Sequence, residues 1–95
     1  MPAACVFRLY LSAAAPRSGR AVVNTRSFCE KYLPGRYTLE ILSIADNVAL
    51  AIADQVVAAP TLVCLSPAPS RRFIGDMSDT QLLLDALGLD GESHE

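Results

Sequence analysis

Apolar residues along the chain follow two spacings, and where the spacing changes marks the boundaries of its elements. Cys5–Leu11 alternates, with Cys5, Phe7, Leu9 and Leu11 on one side and Val6, Arg8 and Tyr10 on the other. Its β-branched and aromatic residues favour a strand. Arg8 is its one charge, so both faces are expected to be covered, as in a central strand of an α/β layer. From residue 17 the period becomes helical. Across residues 17–33, Ala21, Val22, Thr25, Phe28, Cys29, Tyr32 and Leu33 share one arc, opposite Arg17, Arg20, Asn24, Ser27 and Lys31. This predicts an amphipathic helix, with Pro16 in its first turn and Pro34-Gly35 at its end. Residues 37–44 return to alternation, with Tyr37, Leu39 and Ile41 on one face. Strand, helix and strand in this order make a βαβ unit.

The second half is less regular. Asp46-Asn47 offers a helix cap. Residues 48–57 predict a second helix, with Val48, Ile52 and Val56 at i, i+4 and i+8 and alanines that favour helix. Pro60 restricts Ala59 and ends it. Residues 61–65 read as a short apolar strand, residues 66–70 as a turn, and Arg71–Ile74 as a further strand. Ser78 and Gln81 match a capping box. Leu82, Leu83, Leu84 and Leu87 then form the apolar side of a last helix, and Gly88 suits its C-terminus. The predicted order, β-α-β-α-β-β-α, is the α/β arrangement of thioredoxin-like proteins. The whole chain, 1–95, reads as one domain with an ordered core over 5–88 and a frayed acidic tail over 89–95. The Ala59-Pro60 bond before the third strand is expected to be cis, with a trans proline simply closing the helix as the alternative.

Composition narrows the function. Hydrophobic residues are 52% and charged residues 19%, which excludes disorder. The uncharged stretch 56–70 is interrupted by Pro60, Pro67 and Pro69, so no membrane-spanning helix is expected. No basic region precedes the first apolar stretch, so no secretory signal is read and a cytoplasmic location is expected. The net charge of −2 hides an asymmetry: residues 1–36 hold six basic side chains and one acid, Glu30, against two and nine in the remainder. Nothing resembles a nucleic-acid footprint.

Candidate chemistry is sparse. Cys5, Cys29 and Cys64 are odd in number and lack a C-x-x-C pair, so neither a disulfide scaffold nor a zinc or redox motif is expected. They read as small buried hydrophobes. His94, in the tail, is the single histidine, which leaves no raw material in the core for a metal site or a catalytic triad. Thioredoxin-like enzymes place a reactive thiol at the start of the first helix. Here that stretch reads Ala13-Ala14-Ala15-Pro16-Arg17-Ser18, and Ser18 has no adjacent base to activate it. A phosphate-cradling Gly-rich loop is also missing. The expectation is a protein that is not an enzyme and needs no cofactor.

Three stretches carry a specific resemblance. Leu9-Tyr10-Leu11, Pro16-Arg17-Ser18 with Arg20-Ala21, and Gly35-Arg36-Tyr37-Thr38-Leu39 resemble the first half of the circadian clock KaiB family. Ala59-Pro60-Thr61-Leu62 and the run from Pro67 through Ser70-Arg71-Arg72-Phe73-Ile74-Gly75-Asp76-Met77-Ser78-Asp79 resemble its second half. The likeness spans residues 5–88 without gaps.

It implies an adaptor that binds the N-terminal ATPase ring of KaiC, a hexameric autokinase, and helps to set a phosphorylation cycle. It also implies fold switching. A βαββααβ ground state, usually tetrameric, exchanges slowly with the thioredoxin-like monomer that binds KaiC, and the two forms differ after about Asn47. Short apolar pieces over 48–88 that serve as helix or strand fit two structures a few kcal/mol apart. Pro60, Pro67 and Pro69 are expected to gate the exchange, since proline isomers interconvert slowly. Exposed apolar surface on residues 48–74 invites self-association as a dimer or tetramer.

By position in the family motif, the partner-binding residues are Asn47 and Leu50, with Ala51 and Asp54 also matching, and Thr38 and Glu40 on the adjoining strand matching in position but not in type. Family members commonly carry lysine where Glu40 stands and proline where Val48 stands, so the partner is expected to be a divergent KaiC or another ring ATPase. Ala86 replaces a frequent glycine, favouring helix by about 0.5–1 kcal/mol and biasing the chain toward the thioredoxin-like form. Alternatives are a KaiB-like stress-response adaptor and the thioredoxin-like sensor module of a histidine kinase. A chain ending at Glu95 with no kinase domain counts against the last.

Overall fold

The computed structural model describes residues 5–66 and 70–88. Its elements are β1 (Cys5–Leu11), α1 (Ser18–Tyr32), β2 (Tyr37–Ser43), α2 (Val48–Ala53), β3 (Thr61–Ser66), β4 (Arg71–Ile74) and α3 (Thr80–Leu87). The four strands form one sheet in the order β2-β1-β3-β4. β1 runs parallel to β2 and antiparallel to β3, and β3 runs antiparallel to β4. The order and type of all seven predicted elements therefore hold, and the fold is thioredoxin-like. Pro67, Pro69 and the tail 89–95 lie outside the described residues.

Alternation along β1 divides the core in two. Phe7 and Leu9 are fully buried with Ala21, Phe28 and Cys29 of α1, Leu62 and Cys64 of β3, and Leu83 and Leu84 of α3. Tyr10 points to the other face, where it meets Ala51 of α2 and Val63 of β3. So α1 and α3 cover one face with a large cluster, and α2 covers the other with a small one.

Four local expectations need correction. α2 stops at Ala53, four residues early. Gln55 adopts the left-handed conformation, with φ 60. Its N–H donates to the Ile52 carbonyl and the Val56 N–H to the Ala51 carbonyl, both at 2.9 Å. This is a Schellman closure built on glutamine instead of the usual glycine, so the sequence carried no stop signal there. Second, with the helix ending at Ala53, Val56 falls outside the i, i+4, i+8 row, and Val48 and Ile52 stand outward at 54% and 70% exposed.

Third, Asp79, not Ser78, caps α3, accepting from the Leu82 N–H at 3.1 Å. Both residue types cap well, and the helix begins one residue later than the capping box implied. Gln81 donates instead to Asp85 at 2.9 Å. That start also turns Leu82 outward, 53% exposed, while Leu83 and Leu84 are buried. Fourth, α1 begins at Ser18, so Pro16 lies before the first turn, and Arg17 stands at the cap without a side-chain bond. The Ala59-Pro60 bond is cis, as expected.

Candidate docking surface

The site is built on the thinly covered face of the sheet. Strand alternation places Thr38, Glu40 and Leu42 of β2 level with Val6, Arg8 and Tyr10 of β1. β2 is an edge strand, so Thr38 and Glu40 are exposed at the rim. Asn47 links this rim to α2: its Nδ2 donates to the Ser43 carbonyl at 2.9 Å, and its carbonyl accepts from the Ala51 N–H. Asn47 makes no side-chain cap to α2, contrary to the sequence expectation, because its amide is turned back to β2.

The six residues singled out by sequence thus come together on one face, in different settings. Thr38 and Glu40 are exposed, Asn47 and Leu50 are half-buried, and Ala51 is buried against Tyr10 and Val63. Asp54 is turned inward. Its Oδ2 accepts from Arg8 Nη1 at 3.0 Å and from Tyr10 Oη at 2.5 Å, and its side chain is only 11% exposed. Glu40 is also engaged, accepting from Arg8 Nε at 3.1 Å. The acid at this position is therefore partly neutralised by its neighbour. Sequence reasoning did not single out Val48 and Ile52 for the site and missed Arg8 and Tyr10 as partners of Asp54. The second was within reach, since residues 8 and 10 share a strand face.

The outer face of α2 thus presents Val48, Ala49, Ile52 and Ala53, all exposed, and Val57 follows at 88% exposure. An apolar strip bordered by polar positions is the composition of a protein contact.

Beyond the ends of β1 and β2, a shallow groove of about 420 Å³ is lined by Ser12, Ile44, Ala45 and residues 56–59. That lining contains no thiol, carboxylate or imidazole. The three cysteines are free and buried. No group of three or more potential metal ligands occurs among the described residues, and no helix there is long and apolar enough to cross a membrane.

Burial pushes the Cys29 thiol up from 9.0 to about 12 and raises Cys5 and Cys64 as well. Burial, then the bond to Asp54, raises Tyr10 from 10.0 to about 12. In each case the native state keeps a proton that the unfolded chain releases first. The stability this adds is complete below the unfolded values and is lost as pH rises toward 12. Urea midpoints should therefore fall between about pH 8 and about pH 11, and thiol reagents should label the native protein only after unfolding. A flat alkaline stability profile contradicts this.

Comparison with known proteins agrees with the fold. The N-terminal domain of SasA from Synechococcus elongatus superposes with a TM-score of 0.74 at 17% identity, covering 97% of this chain and 88% of that one. Deadhead, a germline thioredoxin of Drosophila melanogaster, gives 0.71 at 15% identity, covering 90% and 79%. These place the chain in the thioredoxin-like fold class. In sequence, the KaiB domain family model matches residues 8–89. The circadian clock oscillator protein KaiB of Prochlorococcus marinus strain MIT 9313 is 39% identical over 85 residues, spanning 90% of this chain and 70% of that protein. That of Thermostichus vulcanus is 38% identical over 85 residues, spanning 90% and 77%. The chain belongs to the KaiB family, whose relatives here carry the name of clock oscillator proteins.

Proposed function

We propose that this chain is a non-enzymatic clock adaptor that docks on the N-terminal ATPase ring of a KaiC-type autokinase. Its contact surface is the outer face of α2 with the rim of β2. The observation that carries this reading is the exposed apolar strip of Val48 and Ile52 on a helix whose inner side is already packed. Leu50 and Asn47 border the strip, and Thr38 and Glu40 supply the polar rim.

The described thioredoxin-like topology is the docking form in this reading. A second topology, with βαββααβ order and rearranged after about Asn47, is a few kcal/mol away and self-associates as a dimer or tetramer in the cytoplasm. Membership of the KaiB family supports both parts.

The test is co-purification with the host's KaiC-type ATPase, with and without ATP, using the isolated N-terminal ring as bait. Capture by that ring is the expected result. Failure to bind any hexameric ATPase of this type, at concentrations well above those in the cell, removes the reading.

A further inference from the structure

We propose that Arg8, Tyr10 and Asp54 form a latch that holds α2 on the sheet, making them positioning residues for the docking face. The consequence for partner binding rests on the reading above. The latch itself is a property of the chain alone.

α2 is poorly equipped to hold itself in place. It has six residues, far fewer than the roughly 12–15 an isolated helix needs in water. Its first turn has no side-chain cap and no acidic residue. Its buried anchor is Ala51, the smallest of side chains for this purpose, and Leu50 and Val56 are only half-buried beside it. Its C-terminal end turns on Gln55 at φ 60, a conformation that side-chain-bearing residues resist.

Against these weaknesses stands one well-made contact. Arg8 and Tyr10 lie two residues apart on a central strand and both reach the same oxygen of Asp54, the residue that closes α2. Charge-assisted hydrogen bonds are about twice as strong as neutral ones, and this carboxylate is almost out of water. Glu40 accepts from the remaining side of the Arg8 guanidinium and so orients it. One cation therefore joins the β2 rim, β1 and the end of α2. A short helix held by three polar side chains and opposed by a left-handed glutamine opens as a unit, separately from α1 and α3.

Amide hydrogen exchange on the full chain tests this. In Tyr10→Phe and Asp54→Ala, the amides of Ala51, Asp54 and Val56, which bond along α2 from its first turn to its closing turn, should exchange about tenfold faster. Amides of α1 and β3 should keep their protection. Arg8→Lys, which keeps a cation but loses the two separate nitrogens that reach Asp54 and Glu40, should fall between the parent and Asp54→Ala, and Gln55→Gly, which relieves the turn, should slow α2 exchange. Unchanged α2 exchange in both loss variants overturns the latch, as does equal acceleration in every element, which would mean general destabilisation. Ring capture separates the two ideas. Faster α2 exchange keeps the latch even with capture intact, since a tenfold rise in a rare open state leaves nearly every molecule competent to bind. Weaker capture with α2 exchange unchanged removes the latch and makes Asp54 a direct contact.

Discussion

Ile52→Glu should weaken binding to the ring ATPase by roughly 30-fold or more while leaving the fold intact. Ile52 is 70% exposed on the outer face of α2, so little packing is lost, and a surface change of this kind alters stability by about 0.5 kcal/mol or less. Glutamate is the better helix former, which offsets even that. At an interface the balance differs. A central apolar contact is removed and a carboxylate is desolvated without a partner, at about 2 kcal/mol or more, or roughly 30-fold in Kd. Val23→Glu is the control. Val23 is 62% exposed, but it sits on α1, across the sheet from α2. It should bind as the parent does. Thermal melts read the first part and titration against the N-terminal ring the second. If Ile52→Glu binds within a few-fold of the parent, docking lies elsewhere on the molecule.

What could be read from the sequence depended on whether one period dominated a segment. β1, α1 and β2 were legible because each has a single spacing, and their burial follows it: Phe7 and Leu9 inward with Ala21, Phe28 and Cys29. In α2 the spacing identified an apolar face without saying what covers it. Val48 and Ile52 do share a face, but it is the outer one, because Ala51 packs on Tyr10 and Val63. Periodicity reports that a face is apolar; what covers that face is set by tertiary contacts and partners. The end of α2 was illegible for a different reason, since Gln55 occupies a backbone conformation that its side chain does not advertise. Of the residues matched by family position, Thr38 and Glu40 stand at the rim as a contact residue requires, while Asp54 is committed to Arg8 and Tyr10. A match by position does not distinguish a side chain that touches a partner from one that holds the touching helix in place.

Truncating a core leucine of α3 and a core phenylalanine of β1 should have different outcomes, and the contrast bears on whether a second topology lies close in energy. Phe7→Ala removes a fully buried ring from the middle of the larger cluster, at about 3–5 kcal/mol. Set against a total of about 5–15 kcal/mol for a domain, that is a large share, and nearly all of it at the low end expected of a small domain. β1 belongs to the half that both proposed topologies share, so neither form escapes the loss and the chain should unfold. Leu83→Ala also empties a fully buried position, at about 2–5 kcal/mol, but α3 lies in the half proposed to rearrange. If the alternative topology is within a few kcal/mol, a loss of this size moves the population to it. The variant should then stay folded and cooperative, with a new set of amide resonances over residues 48–88, unchanged ones over much of residues 5–44, and a larger size in solution. Heteronuclear NMR with sedimentation measures all three. Should Leu83→Ala unfold in the same way as Phe7→Ala, no second fold lies within reach, and the bistable half of the proposed function is lost while the docking face stands.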